Sequence, residues 1–184
     1  MIWLLDNPDP FWSLLAEHTV LSVLPTVLGL LLALPVGAAL RGRPRARALA
    51  DLIAGILFTI PSLALFVVLP GILGTRILDP LNVVLALTLY ALALLVRAVL
   101  DSLDGVPVAV RSAARAMGYA PARRIAAVEL PIALPVLIPA LRVVLVTNVS
   151  LVSVGAVIGI GGLGQLFTAG YQRSYPDQIL AGII

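Results

Sequence analysis

The sequence predicts an all-α integral membrane protein, and three observations lead there. Hydrophobic residues make up 61% of the 184-residue chain and charged residues only 11%, against about 25% charged in a soluble domain. A single domain is the default at this length. A soluble one could not bury this much apolar surface, because its surface-to-volume ratio limits burial. The apolar residues also gather into runs that suit a hydrocarbon core about 30 Å thick, which takes roughly 20 helical residues to cross. Finally, the arginines concentrate in alternate loops, the pattern that sets membrane orientation.

The runs follow in order. Thr19 to Leu40 carries no charge, and Ala50 to Leu73 has only Asp51 at its edge. Leu81 to Val96 ends at Arg97, and Pro131 to Ile158 is interrupted by Arg142. A last run starts near Ile179 and stops at Ile184. It is too short to span, so the natural chain is expected to continue beyond it. The expectation is one transmembrane domain over 1–184, with spans near 19–40, 50–73, 81–97 and 131–158 and an incomplete fifth at 178–184. Pro25, Pro35, Pro61 and Pro70 lie in or at the ends of these runs. Each removes a helical hydrogen bond, which packed membrane helices tolerate, so simple kinks are expected there.

Nine arginines lie in two loops, at positions 41, 43, 45 and 47 and at 97, 111, 115, 123 and 124. Only Arg76 and Arg173 lie in the loops of the other side. The positive-inside bias puts the N-terminus outside and the two Arg-rich loops in the cytoplasm. Asp6, Asp9 and Glu17 in the outer segment agree. These arginines suit anionic inner-leaflet lipid, so the formal charge of +3 does not imply a nucleic-acid partner. The start, MIWLLDNPDPFW, has no basic n-region and an apolar run that stops at Asp6, unlike a cleaved signal peptide.

Absent residue types exclude chemistry. With no Cys, thiolate catalysis, disulfides and thiolate metal sites fall away. One His, His18, leaves no His-rich metal site. All twelve basic residues are Arg. Without Lys the chain has neither the phosphate-gripping lysine of a P-loop nor a Schiff-base nucleophile. No paired carboxylates lie in the spans, and neither G-x-S-x-G nor H-E-x-x-H occurs. No catalytic residue, cofactor or metal is expected.

Asp101 to Leu130 is the longest stretch unsuited to the bilayer. Val110 to Met117 is Ala-rich without a breaker and predicts a short helix, stopped by Gly118. Pro121 suits the first turn of a second helix running to Leu130. A short amphipathic helix on a glycine hinge is either offered to a partner's groove or lies as a connector on the lipid surface. Here the residues resemble a known family. Ser112-Ala113-Ala114, Gly118, Val128, Leu130 and Pro131 match the spacing E-A-A-x3-G-x9-I-x-L-P. That is the EAA loop of permease subunits of ATP-binding-cassette importers. Ser112 stands where the family has an acid and Val128 where it has Ile.

The resemblance implies a type I permease fold like that of methionine importers, with about five transmembrane helices. It implies that Ser112, Ala113, Ala114, Met117, Gly118 and Tyr119 form a coupling helix docked on a separate ATPase subunit. It further implies a second permease subunit, identical or not, an external substrate-binding protein and a bacterial plasma-membrane location. FTIPSLALF (Phe58 to Phe66) and ELPIALPVLIPALRVV (Glu129 to Val144) resemble permeases for glycine betaine, carnitine and choline. IGIGGLG with GYQRSYPDQILAG, inside Ile158 to Gly182, is also similar to methionine-type importers, which remain the alternative. Quaternary ammonium groups are usually caged by aromatic rings. This chain has ten aromatic residues, of which Phe58, Phe66 and Tyr90 fall in spans. That suits a permease with a weak transient site, its ligand chosen by the external binding protein. A passive channel or scaffold would not require the EAA spacing.

Two polar residues of the fourth span are pathway candidates. An intramembrane charge is by default a functional hypothesis, so Arg142 either lines the pathway or pairs across a permease dimer. The alternative is a span starting nearer Ile138, with Arg142 reaching back to the interface. Asn148 is the second candidate, among Thr147, Ser150 and Ser153, which glue helices. Beyond them, Gly159, Gly161 and Gly164 in GAVIGIGGLGQL fit G-x-G-x-x-G. A dinucleotide site would need a strand before and an acid about 20 residues after, and neither is present. Gly155 and Gly159 form G-x-x-x-G, which lets helices approach closely. In the resembled family this segment breaks the fourth span near the gate, so the resemblance implies that Gly155, Gly159, Gly161, Gly162 and Gly164 form a hinge at the outer mouth of a transport pathway.

Overall fold

The computed structural model describes residues 2–183, and every regular element among them is helical. Helix α1 (Ile2–Asp6) is short, and α2 (Pro8–Leu40) is long. Next come α3 (Pro44–Thr59), α4 (Ser62–Leu73) and α5 (Pro80–Asp104). The connector holds α6 (Val108–Ala116) and α7 (Pro121–Arg124). A π turn (Ile125–Glu129) leads from α7 straight into α8 (Leu130–Gly155). A 3₁₀ turn (Ala156–Ile158) and a loop then precede α9 (Gly164–Gln172) and α10 (Pro176–Ala181).

Helices α2 and α5 are the spine, running parallel. A Cβ on Gly29 would stand 2.5 Å from Ala91 Cβ, and one on Gly37 would stand 2.7 Å from Val99 Cγ1. Both contacts advance along both helices together, so two backbones can touch along a stripe of Gly29, Ala33 and Gly37, all buried. Such close approach raises dispersion contact where the bilayer supplies no hydrophobic force between helices. Helix α5 is central: 61% of its most apolar window is buried, against 28% for α2 and 17% for the helical run containing α8. Most of α8 therefore offers its apolar surface outward. It crosses the spine antiparallel, with Asn148 near Thr26 and Glu129 near Arg41.

The predicted run 50–73 is not straight. Helices α3 and α4 meet at an angle of 101°. Pro61 clashes with a helical conformation of the residue before it, and Ile60 is extended, with ψ 123°. The freed Ile60 carbonyl accepts a hydrogen bond from Tyr90 Oη of α5, so the break is held by a partner. Pro25, Pro35 and Pro70 are instead absorbed inside helices. Helix α2 begins well before the predicted Thr19, and α5 continues past Arg97. The expected fifth span, 178–184, begins as α10, and its last residue lies outside the described residues.

Candidate functional site

At the arginine-rich end, α6 stands off the bundle. Ala114 is its one buried residue. Ser112 and Ala113 are exposed, Val108 is 66% exposed and Met117 68%. Gly118 closes the helix at φ +81°. The Gly118 N–H donates to the Arg115 carbonyl and the Tyr119 N–H to that of Ala114, at 2.9 and 3.1 Å. This double closure is a Schellman motif, and a side chain other than hydrogen would strain it. The Arg123 guanidinium lies over the Tyr119 ring, 5.4 Å from its centroid. Pro121 starts α7, where its missing N–H costs nothing. The six candidate coupling residues thus form one helix-and-hinge unit. Arg111 and Arg115 of α6 line a cleft of about 450 Å³ together with Arg41 and Arg124.

Beneath that unit sits Glu129, with no exposed side-chain surface. Its Oε1 accepts from Arg124 Nε at 2.6 Å, and its Oε2 accepts from Arg41. Arg41 also donates from Nε to Asp104 Oδ1 at 3.0 Å and from its second terminal nitrogen to the Leu103 carbonyl. A buried carboxylate is tolerated only when its charge and lone pairs are met. Here two guanidiniums meet both oxygens.

At the opposite end Gly155, Gly161, Gly162 and Gly164 are packed, mainly against backbone. A Cβ on Gly155 would run into the Ile160 carbonyl, and one on Gly161 into the Ala156 backbone nitrogen. A Cβ on Gly164 would stand 2.6 Å from the Ser153 carbonyl oxygen. Gly162, at φ +47°, would place a Cβ 2.5 Å from His18 Cβ and 2.7 Å from its Cα. His18 Nδ1 lies 3.4 Å from the Gly161 carbonyl oxygen. The loop therefore folds back over the end of α8 and clamps onto α2. Gly155 approaches this returning loop, not a second helix as the G-x-x-x-G spacing suggests. Gly159 is exposed, at φ +86°. Phe11, Leu163, Leu166 and Ala181 make a small core that ties α2, α9 and α10 together.

Between the two ends, Asn148 is buried and its Nδ2 donates to Thr26 Oγ1 at 2.9 Å, joining α8 to α2. Arg142 is exposed on α8, which runs as unbroken helix through Ile138. Phe66 and Tyr90 are buried, and Phe58 packs edge-on to Tyr90 with centroids 5.3 Å apart. These three rings form no open cage. Sequence reasoning overlooked Glu129 with its arginines, and also Gly29, Gly37 and His18. The four-residue spacing of small side chains in α2 was the available signal for the glycines. An acid between Arg124 and an apolar run was the signal for Glu129.

Residues 26–184 match the family described as binding-protein-dependent transport system inner membrane component. The osmoprotectant import permease protein OsmW of Salmonella typhimurium is 35% identical, over 99% of this chain and 86% of its own. The carnitine transport permease protein OpuCD of Listeria monocytogenes serotype 1/2a is 30% identical, over 96% and 76%. The choline transport system permease protein OpuBB of Bacillus subtilis is 27% identical, over 91% and 76%. Among solved structures, a chain of the inward-facing MetNI methionine ABC transporter superposes with a TM-score of 0.73 at 30% identity. The match covers 95% of this chain and 82% of that one.

Proposed function

Because the chain belongs to the family of binding-protein-dependent transport system inner membrane components and is an importer's permease subunit, we propose that it carries a small osmoprotectant of the glycine betaine, choline or carnitine type. The relatives matched by sequence are named for those ligands. The likeness to the methionine importer speaks to the fold that both share.

The observation that carries the mechanism is α6, an exposed helix with one buried residue and a left-handed glycine at its end. It has the shape of a helix presented to a groove. In this reading a separate ATPase receives α6 in the cytoplasm, and nucleotide-driven closure of two ATPases moves the α6 of each permease in a dimer. Ser112 brings no charge, so the electrostatic part of docking falls to Arg111 and Arg115. The N-terminus lies outside, where the packed glycine loop forms a stop at the mouth of the pathway and meets the external binding protein. An unpaired guanidinium facing lipid is costly, so Arg142 turns its face of α8 toward the pathway or the second subunit.

Copurification tests the docking. The ATPase subunit is retained by the native chain and lost on Gly118→Pro, which cannot adopt φ +81°. Ion conduction by this chain alone would instead make it a channel. Uptake of labelled quaternary amines and methionine by the reconstituted complex tests the cargo.

A further inference from the structure

Glu129 lies at the C-terminal end of the π turn that joins the α6–α7 connector to α8. A π turn has wide i→i+5 geometry, is rare, and is frequent at functional sites; here the Leu130 N–H donates to the Ile125 carbonyl. A helical run with such a turn can yield when pushed at one end. Two contacts oppose that yielding. Arg124 and Glu129, five residues apart, bridge the turn along its own length at 2.6 Å. Arg41 then fastens the same carboxylate to the end of α2 and, through Asp104 and the Leu103 carbonyl, to the end of α5. Glu129 is fully buried and Arg41 is 15% exposed, so water does not compete freely for these bonds.

We propose that Glu129 is the positioning residue that makes the connector and the ends of α2, α5 and α8 move as one body. It rests on the permease reading above. Without this carboxylate the π turn takes up the displacement of α6, and ATP is hydrolysed without moving the pathway. The carboxylate contacts neither cargo nor nucleotide; it acts through α8.

The test uses the complete complex, with ATPase and external binding protein, in liposomes, and reads glycine betaine imported per ATP hydrolysed. Loss of folded protein lowers both quantities together and leaves their ratio unchanged; uncoupling lowers the ratio. Glu129→Gln should assemble with the ATPase, continue to hydrolyse ATP and lower the ratio about tenfold, the order of magnitude of a coupling free energy between two sites. Glu129→Asp keeps the charge but cannot reach both arginines, and Arg124→Gln leaves the Arg41 pair in place. Each should lower the ratio about fivefold, the low end of site-to-site coupling. These two variants decide the matter if Glu129→Gln fails to assemble. An unchanged ratio in assembled complexes of either would overturn the proposal. If the native complex imports no quaternary amine, the reading of the cargo fails; the ratio is then read with whichever solute the native complex carries.

Discussion

The arginine-rich end and the glycine-loop end of this bundle are built by opposite means. At the first, long charged side chains reach across gaps: Arg41 and Arg124 to Glu129, and Arg47 to Asp101 at 2.6 Å and to Asp104 at 3.3 Å. At the second, side chains are missing and backbone lies on backbone, as where Gly161 meets Ala156 and Gly162 meets His18. Charged bridges set direction and can be re-formed after a small shift. Backbone contact has no slack, because cores do not accommodate an added methyl without displacement. The first end suits transmission of movement, and the second suits a stop with few allowed positions.

Substitutions at the two ends should therefore fail differently. The largest effect is expected at Gly162→Val, which adds overpacking against His18 to left-handed strain. Together these cost about 3 kcal/mol, read as a lowered midpoint of thermal unfolding in detergent. Import should be lost while the ATPase still copurifies; a fully active Gly162→Val would break the contrast. Next comes Arg142→Ala. If its guanidinium faces the pathway, import of glycine betaine and carnitine, which carry carboxylates, should fall relative to choline, which carries none. A tenfold change in that ratio corresponds to about 1.4 kcal/mol, and equal effects on all three solutes would remove Arg142 from the pathway. Gly118→Ala is gentler than Gly162→Val, since no atom lies within 4 Å of the added Cβ. Only the backbone strain remains, about 1 kcal/mol, seen as weaker retention of the ATPase with a smaller fall in the unfolding midpoint than at Gly162→Val. Smallest is Arg47→Gln. Both its acidic partners are about half exposed, and such pairs contribute less than about 1 kcal/mol, visible as a slight loss at low salt.

The sequence showed different amounts of the two ends. The α6 hinge was legible because its signals are local: an Ala-rich run, Gly118, then Pro121. The glycine loop was legible as a turn but not as a clamp, because its partner His18 comes from α2, remote in sequence. Hydropathy measures how apolar a run is and not which way it points. The break at Ile60 could not be separated from an ordinary proline kink until Tyr90 was found capping its carbonyl. Glu129 was hidden for a related reason. A charge beside an apolar run reads as its solvated edge, and only the fold brings Arg41 from the far end of α2 to bury it.

Solute uptake by the reconstituted complex of this chain with its ATPase and external binding protein tests the permease reading. Liposomes would be supplied in parallel with labelled glycine betaine, choline, carnitine and methionine. ATP-dependent accumulation of at least one quaternary amine is expected, abolished by Gly118→Pro. Accumulation of methionine alone, or uptake that persists without the ATPase, would contradict it.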